Sequence, residues 1–266
     1  MNEKNYEYLS DQVKYTGFGE GLAGELREKM EQQTPGFTLT HNAHYGNDIA
    51  VATLNFRKSD QSDMYFFNSY RVNLQKENSK DIMEQTFYIN KGSNITMKEA
   101  YNLMQGRAVN KDLTNKEGEV YNAWVQMDFK DADSNGNFKL NQYHQNYGYD
   151  LEAAVSKHPI KELETQKYKD DLLDSLKKGN LQSATFLKDG TEVKHFIEAN
   201  PQFKVLNVYD SNQQRIDARH TNDEKQSEGQ DKSVKQSNRK SVSADDDGPE
   251  APQEGKKKRK TQNNSL

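Results

Sequence analysis

The chain has 266 residues, with 37 Lys and Arg against 41 Asp and Glu, and only 32% apolar side chains; either the core is small or part of the chain stays unfolded. There is no cysteine, so disulfides, thiolate metal sites and cysteine nucleophiles are excluded, and a reducing compartment is compatible. No run approaches the ~18 apolar residues of a membrane span, and the opening "MNEKNYEYLSDQVK" lacks the apolar stretch of a secretory signal.

In chain order, a helix-like opening runs into "GFGEG" at 17–21. Its glycines suit an anion-binding loop, but no strand precedes them, so the stretch reads as a joint between helices. "LAGELREKMEQQ" is a helix. "GFTLTHNAHYG", "NDIAVATLNFRK" and "DMYFFNSYRVNLQ" are three strands, with Gly46 at the first turn, and "IMEQTFYINK" is a fourth. Thr96 and Glu99 form a capping box that starts the next helix.

Residues 119–130, "EVYNAWVQMDFK", alternate strictly. Tyr121, Ala123, Val125, Met127 and Phe129 share one face; Asn122, Trp124, Gln126 and Asp128 share the other. The next stretch, "DADSNGNF", imitates the front half of a calcium loop through Asp131, Asp133, Asn135 and Gly136. A calcium hand needs flanking helices and a bidentate Glu at its twelfth position; here strands flank it and Gln142 stands there. The stretch therefore reads as a hairpin turn.

Two segments repeat one plan. Each has a helix ending at a glycine (Gly106, Gly179), a short strand, a glycine turn (Gly118, Gly190) and a second strand carrying Tyr121/Val193, Ala123/His195 and Val125/Ile197 on one face. Each then has a third strand, opening with Phe138-Lys139 in one copy and Phe203-Lys204 in the other. A fainter copy precedes them. Between the two clear copies lies "YGYDLEAAVSKHPIKELETQKYKDDLLDSLKKG", mostly helical and broken at Pro159.

The expected fold is α+β: antiparallel sheets built from repeated helix-strand-strand-strand units, followed by a disordered C-terminal tail. The expected divisions are 1–95, 96–160, 161–210 and 211–266. Residues 1–210 carry a net charge of −6 and residues 211–266 a net of +2. The tail has no aromatic residue after Tyr209 and cannot bury enough apolar surface to offset an ordering entropy of roughly 1–2 kcal/mol per residue.

The stretches "NYEYLSDQVKYTGFGE", "FYINKGSNITMKEAYNLMQGRAVNKDLTNKEGEVYNAWVQMDF", "LKKGNLQSATF" and "FIEANPQF" resemble an uncharacterised protein family of Bacteroidota conjugative and other mobile elements. The helix–glycine–strand–glycine–strand unit also resembles a domain of unknown function, often repeated, found near topoisomerase and mobilisation genes. The resemblance covers roughly residues 1–210. It implies a bacterial cytoplasmic setting and a mobile-DNA context, and it transfers no catalytic residue.

Candidate chemistry is sparse. His41 and His44, three apart on a strand, point to opposite faces and do not form a zinc pair; no metal or cofactor is expected. No P-loop, dinucleotide fingerprint or nucleophile elbow appears. Trp124 and Phe196 occupy matching places on otherwise polar strand faces. Such rings serve either as stacking platforms for single-stranded nucleic acid or as packing against a neighbouring helix or repeat. Lys256, Lys257, Lys258, Arg259 and Lys260 are consecutive cations suited to weak, salt-sensitive contact with nucleic acid.

The expected function is that of a non-enzymatic accessory protein: an acidic body that binds a protein partner from the DNA-processing machinery, with a basic tail touching nucleic acid. The alternative is a pure adaptor or inhibitor with an inert tail. A hydrolase with an unrecognised site is a third class.

Overall fold

A computed structural model describes residues 1–90 and 94–216. The first helix, α1 (Glu3–Val13), is capped by the Asn2 side chain and runs into a π-helical turn, Lys14–Phe18. Gly17 in that turn has φ 97° and backs onto the Met97 amide, where a Cβ would lie 3.2 Å from nitrogen. The turn and Gly19 deliver the chain to α2 (Ala23–Glu31), so "GFGEG" is the helix joint that its glycines indicate.

Next come β1 (Gly36–Tyr45), β2 (Asp48–Lys58), β3 (Tyr65–Gln75) and β4 (Ile82–Tyr88), an antiparallel meander in that order. Helix α3 (Met97–Met104) begins at the Thr96–Glu99 capping box. It leads to β5 (Val109–Thr114), β6 (Val120–Ala132) and β7 (Phe138–His144), a second antiparallel sheet. After α4 (Leu151–Val155) and α5 (Gln166–Lys177), β8 (Gln182–Lys188), β9 (Thr191–Asn200) and β10 (Val205–Tyr209) make the third. Pro159 lies between α4 and α5, and its carbonyl accepts from the Leu187 N–H on β8.

The duplication is visible bond by bond. Gly106 and Gly179 both have positive φ, 85° and 76°. In each copy the glycine N–H donates three residues back and the next N–H five residues back: Gly106 to Leu103 and Arg107 to Asn102, then Gly179 to Leu176 and Asn180 to Ser175. That is one Schellman helix end made twice. In the fainter first copy, Gln33 at φ 52° takes the left-handed place after α2.

Ladder partners align the strands. Val125 pairs with Val109 and Gln142; Ile197 pairs with Gln182 and Val208. Along the third strands, Lys139 opposite Asp128 therefore matches Val205 opposite Asn200. Phe138 thus matches Lys204, and the two "FK" pairs stand one residue out of register. The first hairpin absorbs extra residues in an irregularity over Asp128–Ala132, whereas the second turns through Lys204 at φ 57° and leaves Phe203 exposed.

The copies do not carry separate cores. Leu9, Leu26, Met30 and the inner faces of β1–β4 pack with Met97 and Leu103 of α3 and also with Val109, Val125 and Met127 of the second sheet. The opposite face of β6 gives Trp124 to a second core with Val155, Leu172, Leu176, Phe186 and Ile197. The middle copy is shared between its neighbours, and residues 1–216 fall in one compact unit.

The folded body extends past 210. Asp210 accepts from the Asn212 and Gln214 amides, and the Ile216 N–H donates to Val208, so 210–216 folds back along β10. The 210/211 boundary falls inside this turn, because Asp210 nucleates it. The expected disordered tail otherwise lies outside the described residues.

Candidate functional site

Where α3 and α5 end, two side chains join the copies. Asn102 is fully buried; its Nδ2 donates to the Lys178 carbonyl at 2.7 Å and to Asn180 Oδ1 at 3.0 Å. Its own Oδ1 accepts Arg107 Nη2 at 2.7 Å, while Arg107 Nε donates to the Gly179 carbonyl at 2.9 Å. These bonds satisfy carbonyls left open by the end of α5, which a helix terminus always requires.

A cleft of about 1070 Å³ opens beside this seam, between the β1–β2 turn, α3 and the start of β8. Tyr45 and Tyr101 stack there, 4.1 Å between ring centroids. The Lys98 ammonium lies 4.4 Å from the Tyr45 centroid and 4.7 Å from that of Tyr101; the Arg107 guanidinium lies 5.4 Å from the Tyr101 centroid. Burial, and then the nearby Arg107 charge, hold Lys98 below its ordinary range. Burial also raises both tyrosines, and the Asp48 carboxylate raises Tyr101 further. Asp48 is fully engaged: Oδ2 accepts from the Tyr101 hydroxyl and Gln105, and Oδ1 from the Glu77 N–H.

A second groove, about 900 Å³, runs between α1 and the start of β3. Tyr8, Gln12 and Tyr15 form one helical row on α1 and the turn after it. Tyr8 is 62% and Tyr15 74% exposed, and Met64 and Phe66 (49%) line the same groove. Four large apolar side chains on one concavity are more than scattered surface residues need.

The residues singled out in the sequence are dispersed. Trp124 is 6% exposed, edge-on to Tyr149 at 5.3 Å, because α4 and α5 cover its face. Its ring is enclosed in the second core, with little surface left for a base. Phe196 lies on the matching face of β9, half-buried opposite Tyr209. His41 faces Phe18 edge-on at 5.4 Å on the inner side of β1, and burial lowers its pKa; His44 is exposed.

In "DADSNGN", Asp133 Oδ1 accepts from the Asn135 and Asn137 amides at 2.8 and 2.9 Å, and Gly136 has φ 81°. These bonds, above all the Asn137 amide, lower the Asp133 pKa. Asp131 pairs with Lys139. The carboxylates serve the turn. Among the described residues, no group of His, Cys, Asp or Glu is placed to hold a metal. The run Lys256, Lys257, Lys258, Arg259, Lys260 lies outside the described residues.

Neither groove stands out in the sequence. Tyr8 and Tyr15 do carry the one available signal, two tyrosines at helical spacing outside the core stripe. The cleft joins side chains from segments more than fifty residues apart, such as Tyr101 and Asp48, and has no local signal. No helix among the described residues is long and apolar enough to cross a membrane. Compared with known proteins, the chain matches no family model, no curated protein and no solved structure.

Proposed function

We propose that the chain is a non-enzymatic, cytoplasmic accessory protein of a bacterial mobile element, with an α+β body that docks a protein partner. The observation that carries this reading is the groove in which Tyr8 and Tyr15 of the α1 row stand near Met64 and Phe66 of the β3 segment. Large aromatic side chains on a concave surface supply most of the energy of protein interfaces. The polar groups of the other cleft support the same reading, since Asp48 and Asn102 are consumed in holding the body together. The run Lys256 to Lys260 adds weak, sequence-independent contact with nucleic acid, and the partner belongs to DNA-processing machinery.

The test is capture with the full chain, with and without nuclease, against a Tyr15→Ala/Phe66→Ala variant. A stoichiometric protein retained after nuclease treatment and lost in the variant is expected. Equal retention by the variant rules out the groove. DNA binding should fade steeply with salt and disappear on deletion of 250–266; persistence after deletion removes the tail's role. The net charge of −6 over residues 1–210 favours a second reading, a pure adaptor or inhibitor with an inert tail. In that case capture survives and DNA binding is absent from the start.

A further inference from the structure

We propose that the cleft beside the seam is a phosphoryl-binding site, with Lys98 and Arg107 as its paired cations. Both sit within 5.4 Å of the Tyr101 ring centroid, so they lie no more than two such radii apart. Neither forms a salt bridge with a carboxylate among the described residues. Two side-chain cations thus face one tyrosine ring, and neither is bound by a carboxylate.

The cleft also holds Lys76 and two carboxylates, Asp48 and Glu77, neither of which forms a salt bridge with Lys98 or Arg107 among the described residues. Asp48 is bound to Tyr101, Gln105 and the Glu77 amide, and Glu77 accepts from Asn47. Arg107 is held in place by Gly179 and Asn102 through Nε and Nη2, and its Nη1 has no acceptor among the described residues. A guanidinium already fixed in this way loses little side-chain entropy when an anion arrives. Burial and then the Arg107 charge disfavour the Lys98 ammonium, a cost that a bound anion would offset. A phosphoryl group suits the site better than a carboxylate, because its charge near pH 7 is about −1.5 to −2 and matches the charge of two cations.

The experiment is an NMR titration of the full chain with inorganic phosphate, a 5′-nucleoside monophosphate and acetate, following the backbone amides of Gly46, Lys98 and Arg107. Saturable phosphate-induced shifts at these amides are expected. Lys98→Gln should weaken binding about tenfold, the worth of one charge-assisted contact, whereas Lys4→Gln on α1 should leave it unchanged. Tighter binding of the nucleotide than of phosphate identifies a nucleotide as the source; equal binding identifies the bare phosphoryl group. Shifts confined to 256–260, binding unaltered in Lys98→Gln, or acetate binding as tightly as phosphate would each overturn the proposal. Lys98 forms no side-chain hydrogen bond or salt bridge among the described residues, so Lys98→Gln removes only its contacts with the Tyr45 and Tyr101 rings, and failure here is independent of the partner groove.

Discussion

The side chain of Gln85 pairs with the backbone of Phe138 as a neighbouring strand would. Its Nε2 donates to the Phe138 carbonyl at 3.2 Å, and its Oε1 accepts the Phe138 N–H at 2.8 Å. Asn137 Oδ1 accepts the Thr86 N–H beside it, so β4 and the β6–β7 hairpin are joined across two sheets by side-chain amides. Asn5 does the same for β3, donating to the Tyr65 carbonyl at 3.0 Å and accepting its N–H at 2.7 Å. Both amides are buried. They close strand edges that would otherwise be open to pairing with another chain.

Gln85→Leu keeps most of the volume and leaves a strand N–H and C=O unpaired. The expected loss is about 2–4 kcal/mol, the cost of two unsatisfied backbone groups, read from urea unfolding. A loss below about 0.5 kcal/mol, within the ordinary range of surface substitutions, would mean that water replaces the amide.

Gly179→Ala should be severe and Gly190→Ala mild, although both glycines have φ 76°. A Cβ at Gly179 would sit 2.8 Å from the Ala108 carbonyl oxygen and 2.9 Å from Val109 Cγ2, whereas a Cβ at Gly190 meets nothing within 4 Å. We expect about 1 kcal/mol at Gly190, from left-handed backbone alone, and roughly 3 kcal/mol or more at Gly179. Comparing the two denaturation midpoints checks this; equal losses would remove the seam's role.

Lys111 and Glu99 form an ion pair at 3.0 Å, with side chains only 11% and 10% exposed. Lys111→Met strands a carboxylate whose remaining partners are the Thr96 amide and hydroxyl. A loss of about 3 kcal/mol is expected, part of which returns in Lys111→Met/Glu99→Gln. A double variant no more stable than the single one would show that the pair's charge is not what matters.

His41 makes stability fall on acidification. Burial depresses its folded-state pKa below the ordinary 6.5, so the unfolded chain takes up its proton first. The contribution of His41 is present above 6.5 and is lost as pH drops through the lower folded value. His158 has the same sign, from burial and then Lys157. Unfolding free energies between pH 8 and 5 should show this slope, and His41→Asn should flatten it. An unchanged slope would assign the effect elsewhere.

By itself the sequence determined the local units. Residues that fix backbone nearby wrote the elements directly: Thr96 and Glu99 the start of α3, Gly106 and Gly179 the two helix ends, and the alternation from Tyr121 to Phe129 the central strand. The turn at 133–137 was equally legible, because Asp133 bonds amides two and four residues on. Only the tertiary structure decided what covers each strand face. Alternation states that the two faces of β6 differ; it does not state that Trp124 meets α4 and α5 and lies buried. The one-residue register of the third strands was hidden for a similar reason, since the irregularity at Asp128–Ala132 shows only in the pairing. The cleft was invisible because its cations and the bonds that hold them span the copies, with Asn102 and Lys178 separated by 76 residues. Side-chain chemistry is written locally, but the charge left without a partner is a property of the assembled surface.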